Sequence, residues 1–91
     1  MLVKFFATYR EITKCSSIML PAPPHLLALL SELAARFGPA MRAKLLSANG
    51  QEVGADAVIM VNGRHISHLA GTATPLTEED TVAIFPLVAG G

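Results

Sequence analysis

Residues 25–37, HLLALLSELAARF, switch to a helical period in a chain that otherwise reads as strands and turns. Leu26, Leu30, Leu33 and Phe37 recur on one helical face, and Leu27, Leu29 and Ala34 widen it. The segment is bracketed by Pro23 and Pro24, placed to open its first turn, and by Gly38 and Pro39, placed to stop it. A single amphipathic helix of this length must bury its stripe, and no comparable helix exists elsewhere in the chain to pack against it. A sheet has to supply the other layer.

The strand-like segments lie on both sides of the helix. Residues 2–9 (LVKFFATY) are rich in β-branched and aromatic types. Residues 16–20 (SSIML) follow, with REITKC between them as the expected turn of an antiparallel hairpin. After the helix, Met41, Leu45 and Leu46 could form a second short helix, and Asn49-Gly50 a loop or tight hairpin. A strand over AVIMV then reaches Asn62-Gly63, a strong hairpin signal, and leads to a short strand at residues 65–67. TVAIFPL is the last strand, with Pro86 near its end, where a missing N–H costs least. The order β, β, α, β, β, β predicts an α+β fold: a mixed four- to five-stranded sheet with one main helix across one face. That is the β-grasp, or ubiquitin-like, architecture. The expected division is a domain over 1–87 and a flexible tail over 88–91.

Strand alternation sets a further expectation. Val3, Phe5 and Ala7 share one side of the first strand, and Leu2, Lys4, Phe6 and Thr8 the other. Lys4 and Thr8 mark the second side as solvated. In the last strand the same logic turns Val82 and Ile84 beneath the helix and Phe85 and Leu87 outward. If the two strands are neighbours, Phe6, Phe85 and Leu87 form an exposed apolar patch suited to a protein partner.

Composition removes several classes of function. The chain has 91 residues, enough for one module, and seven basic residues balance seven acidic ones, so it lacks the cationic excess that nucleic-acid backbones require. Cys15 is the single cysteine, which precludes an internal disulfide and points to a reducing compartment, the cytoplasm. No signal peptide is read, and no apolar run approaches the ~20 residues of a membrane span. His65 and His68 stand three apart without a supporting ligand cluster, so no metal site is expected. Glu78, Glu79 and Asp80 read as a solvated turn, Cys15 as a passive thiol, and VNGR lacks the glycine spacing of a phosphate loop.

What remains is the ending, AIFPLVAGG. Gly90 and Gly91 carry no Cβ, so they suit a channel too narrow for side chains, and a nucleophile can reach the terminal carbonyl unhindered. An α-carboxylate has a pKa of about 3.3–3.7 and is ionised at neutral pH, a poor electrophile that something must activate. ATP in a partner enzyme could do so by forming an acyl-adenylate, open to attack by sulfide or an amine.

FFATYRE near the start, VNGR in the middle, TPL before an acidic turn ending at Asp80, and above all VAIFPLVAGG resemble the MoaD/ThiS family of ubiquitin-like sulfur carriers, closest to the small subunit of molybdopterin synthase. The resemblance spans almost the whole chain. It implies that Gly91 is adenylated by an E1-like (MoeB-like) enzyme using ATP and converted to a thiocarboxylate. The sulfur would then pass to the molybdopterin dithiolene inside a complex with a MoaE-like large subunit. Gly90 would be the slim penultimate residue, and Phe6, Phe85, Pro86, Leu87, Val88 and Ala89 would contact partners. The chain itself would bind no cofactor. Leu87 stands where the family often has a second proline, and Glu79-Asp80 where it has Gly-Asp. The segment over 41–56 is longer than in the shortest members, which favours a MoaD-like or archaeal-type variant over the thiamine-pathway carrier. Two alternatives stay open: a ubiquitin-like modifier conjugated through Gly91, and a sulfur carrier for another thiolation pathway. A plain β-grasp binding module, with idle glycines, is the bland competitor.

Overall fold

A computed structural model describes residues 1–87. Five strands form one sheet in the order β2-β1-β5-β3-β4: β1 (Leu2–Phe5), β2 (Ser17–Met19), β3 (Ala57–Val61), β4 (Arg64–His65) and β5 (Thr81–Pro86). β1 and β5 run parallel at the centre and the other pairs are antiparallel. Among the described residues there are also three α-helices, α1 (Thr8–Thr13), α2 (Leu26–Phe37) and α3 (Pro39–Leu45). This is the expected mixed sheet with a main helix across one face.

The buried stripe of α2 is Leu26, Leu29, Leu30, Leu33 and Ala34, and it meets Val3, Phe5, Ile59, Val82 and Ile84 from the three central strands in one core. Phe37 sits edge-on to Phe5, with ring centroids 5.7 Å apart, a favoured aromatic geometry. The prolines stand outside the helix rather than in its first turn. His25 is the cap: its Nδ1 accepts the Ala28 N–H at 3.2 Å, in the manner of shorter polar caps. Gly38, at φ 93°, ends α2 and starts α3, with Pro39 at the head of the new helix. The second short helix is thus present. Beyond it, Leu46 and Val53 bridge around Asn49-Gly50 as a small hairpin-like loop.

The first strand is shorter than its composition suggests, and REITKC is not a simple turn. Ala7, at φ 52°, breaks the strand, and α1 follows with Tyr9 and Thr13 buried one turn apart. Ala7 is therefore exposed rather than facing the core, and Thr8 belongs to the helix. The reason lies across the sheet. The Phe6 N–H donates to the Ile84 carbonyl at 3.1 Å, and in a parallel ladder the next rung would need an N–H from residue 86. That residue is Pro86, which has none. The Phe6 carbonyl instead accepts from the Tyr9 N–H at 3.1 Å, and the chain turns into α1.

Asn62 and Gly63 make the expected tight turn, both with positive φ, as a two-residue hairpin of this type requires. β4 falls one residue earlier than expected and covers two residues, because Ile66–His68 winds into a 3₁₀ turn capped by His65. Gly54 is needed for close approach: a Cβ there would lie 2.5 Å from the Lys44 carbonyl, at the end of α3.

Candidate functional site

α2 covers one side of the sheet, and strand alternation places Leu2, Lys4, Met19, Val58, Met60, Ala83 and Phe85 on the other, with Phe6 just past the end of β1. At the C-terminal end of β5 the Phe6 and Phe85 rings stack nearly parallel, centroids 4.3 Å apart and planes 9° from coplanar. Parallel pairing of β1 with β5 causes this, since the register that aligns Phe5 with Ile84 brings the following residues side by side. The Arg10 guanidinium caps the stack, its Cζ 6.0 Å from the Phe6 centroid, at the outer range for a cation over a ring. Met19 is 70% exposed and Leu87 is 59% exposed, so the apolar surface continues to the end of β5.

The root of the tail is tied down. The Leu87 N–H donates to the Asp56 carbonyl at 2.9 Å, and the Tyr9 hydroxyl lies 3.2 Å from that same carbonyl and 3.2 Å from the Lys44 carbonyl. Burial, reinforced by the Asp56 carboxylate, pushes the Tyr9 phenol up to about 12. α1, the end of α3 and the segment entering β3 thus converge on the C-terminal end of β5.

Phe6 and Phe85 stack on the open side, and Leu87, the residue after β5, is exposed. Pro86 follows the alternation of Val82 and Ile84 and so turns away from that face, half-buried. Val88, Ala89, Gly90 and Gly91 lie outside the described residues, as does the expected tail over 88–91. Sequence reasoning missed Arg10, hidden in a supposed turn, and Val58 and Met60. β3 is apolar on both sides, so alternation leaves no mark of which residues face out.

The remaining candidates are structural. Glu78 accepts the Ala22 N–H at 2.7 Å and lies 3.6 Å from the Met1 amine. Asp80 accepts from the Asn62 side chain and the Thr77 N–H, each at 2.8 Å. The Asn62 hydrogen bond, followed by that from Thr77, holds the Asp80 carboxyl below its ordinary range. The acidic run is therefore a brace at the start of β5 rather than merely solvated. His65 Nδ1 is engaged by Ser67, whose N–H and hydroxyl oxygen lie at 3.0 and 2.8 Å. No group of three His, Cys, Asp or Glu among the described residues could hold a metal ion. A hollow of about 590 Å³, lined by Val61, Leu69, Thr74 and Asp80 among others, sits at the head of β5, the opposite end from Leu87. No described helix is long and apolar enough to cross a membrane.

The fold defines a class, the ubiquitin-like β-grasp proteins. Residues 3–91 match the ThiS family. The chain is 34% identical over 91 residues to small archaeal modifier protein 3 of Haloferax volcanii, covering 98% of this chain and 96% of that protein. Among solved structures it is similar to small archaeal modifier protein 1 of Methanosarcina acetivorans, with a TM-score of 0.86, 26% identity, and 99% and 94% of the two chains covered. A chain of the Amycolatopsis orientalis BexX/CysO complex shares the fold at a TM-score of 0.80 and 21% identity, with 99% and 98% covered. The chain belongs to the ThiS family of ubiquitin-like sulfur carriers and modifiers.

Proposed function

We propose that the chain is a sulfur carrier that works through Gly91. Its carboxylate attacks ATP in an E1-like enzyme, releasing pyrophosphate and forming an acyl-adenylate. A sulfur nucleophile then displaces AMP to leave a thiocarboxylate. In the MoaD-like reading, a large synthase subunit receives this group and its sulfur enters the molybdopterin dithiolene. The observation that carries the proposal is the family match running through Gly91, in a chain whose last described strand ends beside the Phe6–Phe85 stack. From Leu87, four further residues can reach at most about 13–14 Å at 3.3–3.6 Å each, enough to enter a partner's active site. A free thiocarboxylate and a supply of ATP both suit the cytoplasm.

The test is intact-mass analysis after incubation with the E1-like enzyme of the same host, ATP and a sulfur donor. Exchange of one oxygen for sulfur is expected, and it should vanish when Gly90 and Gly91 are deleted. Unmodified carboxylate under those conditions would refute the carrier mechanism.

The second reading, a modifier that forms an amide between Gly91 and lysines of other proteins, is favoured by the relationship to a small archaeal modifier protein. It shares the activation step and differs in the acceptor. Trypsin cuts no closer to Gly91 than Arg64, so conjugates are to be sought as long branched peptides rather than a Gly-Gly remnant. Lysines bearing residues 65–91 would establish it.

A further inference from the structure

The chain has two asparagines, Asn49 and Asn62, and glycine follows each of them. An Asn-Gly pair can modify itself, because the glycine nitrogen, with no side chain beside it, can attack the asparagine Cγ and close a five-membered ring. Sequence gives the two pairs equal standing, and both asparagines are exposed. The structure sets them apart. Asn62 is clamped at both ends of its side chain: Nδ2 donates to Asp80 Oδ1 at 2.8 Å, and Oδ1 accepts the Thr81 N–H at 2.9 Å. Those bonds hold the amide against the head of β5, in a residue whose backbone is fixed at a φ of 52°. Asn49 has only its oxygen engaged. Oδ1 accepts the Ser47 hydroxyl at 2.8 Å and the Gln51 N–H at 3.0 Å, while Nδ2 makes no hydrogen bond among the described residues. The Ser47 oxygen in turn accepts the Glu52 N–H at 3.1 Å, which leaves its proton for Asn49.

We propose that Asn49 is a site of self-modification, at which the Gly50 nitrogen displaces the side-chain amide, and that the clamp on Asn62 keeps the second pair inert. The two donors on Asn49 Oδ1 stabilise the negative charge that develops there as Cγ becomes tetrahedral, and they leave unheld the nitrogen that must depart. The Gly50 nitrogen gives its proton to solvent hydroxide and bonds to Cγ. The Cγ–Nδ2 bond then breaks, and the departing nitrogen takes a proton from water and leaves as ammonia, giving a succinimide. Water opens that ring at Cγ to give aspartate, or at the main-chain carbonyl to give isoaspartate. One bond has to open first, the Gly50 N–H to the Ser47 carbonyl at 2.9 Å, in an exposed turn. The Arg42 guanidinium lies beside the reacting residue: a Cβ on Gly50 would sit 3.0 Å from its Nη2, and the three nearest atoms all belong to Arg42 rather than to Glu52, the acid of the same loop. A cation there favours loss of the proton and afterwards faces the new carboxylate. At Asn62 the same product would set a second carboxylate against Asp80. This inference does not depend on the carrier reading.

The experiment incubates the folded full chain at mildly alkaline pH and follows both sites by tandem mass spectrometry of the tryptic peptide over 45–64, which contains both asparagines. Asn49 is expected to convert roughly ten-fold faster than Asn62, the ratio that one or two retained hydrogen bonds impose. A more acidic species should appear on ion exchange at the same rate, since seven bases balance seven acids in the unmodified chain. In denaturant the two sites should convert alike. Asp80→Ala removes one jaw of the clamp and should speed Asn62 while leaving Asn49 unchanged. Ser47→Ala removes one donor from Oδ1 and should slow Asn49 several-fold while leaving Asn62 unchanged. Thermal melts confirm that each variant is folded during the incubation. Equal rates at the two sites of the folded chain, a faster Asn62, conversion at neither site, or the same ratio persisting in denaturant overturns the inference. So does a Ser47→Ala variant that converts at Asn49 as fast as the wild type or faster, since the donors on Oδ1 would then not drive the reaction.

Discussion

Tyr9 is the single tyrosine of the chain, and its side chain is fully buried with the hydroxyl beside two carbonyls. The folded protein holds the phenolic proton more tightly than the unfolded chain does, with a pKa of about 12 against an ordinary 10.0. A raised folded value means that the associated stability is complete below the ordinary value and is lost as pH climbs through the folded one. Titrating the ultraviolet absorbance of tyrosinate should give one transition near the higher value in native protein and one near the lower value in denaturant. A native midpoint at the ordinary value would mean that the hydroxyl is open to water and that the tail root is not braced as described. Tyr9 also shows where residue-level reading stops. FFATY alternates like a strand, and the rung that ends the strand is lost at Pro86, far along the chain. Phe6 and Phe85 were legible because Lys4 and Thr8 marked a solvated side. Thr8 supported the right conclusion from the wrong element, since it lies in α1.

At the scale of elements, legibility followed the range of the cause. α2 was readable because its stripe of leucines repeats over three turns. α1 was not, since six residues carry a single buried pair, Tyr9 and Thr13, and short helices depend on tertiary support. The turn at Asn62-Gly63 was readable from two residues, but its second purpose was not. The Asn62 side chain reaches across to Asp80 and to the Thr81 N–H, at 2.8 and 2.9 Å, joining the β3–β4 turn to the head of β5. Because the Asn62 hydrogen bond, followed by that from Thr77, lowers the Asp80 pKa, their stabilisation is complete above the ordinary carboxyl value of 3.8 and is lost as pH falls through the lowered one. Asp80→Ala should be less stable at neutral pH and should flatten the acid limb of a plot of urea midpoint against pH. An unchanged acid limb would assign that limb to other carboxylates. Substitution at Asp80 leaves the Phe6–Phe85 stack untouched, since the two occupy opposite ends of β5.

In the molecule as a whole, the sheet closes through its two most distant strands. Leu2 pairs with Thr81 and Phe5 with Ile84, so the central contact spans most of the chain, and β5 also holds β3 in place. A chain ending before Thr81 is therefore expected to lack a cooperative unfolding transition by circular dichroism, because β1–β2 and β3–β4 would become separate edges with an uncovered helix. A sharp transition in that truncated chain would show that the sheet folds without its centre. The central pairing also orders events on the ribosome. β1 is made before the other described strands and must wait for β5, the last of them, so the slow, long-range step of folding cannot begin until β5 is available. The same strand supplies Phe85. A chain cut short before β5 lacks both the middle of its sheet and half of its aromatic pair, so the strand that completes the core is also the one that completes the exposed aromatic face.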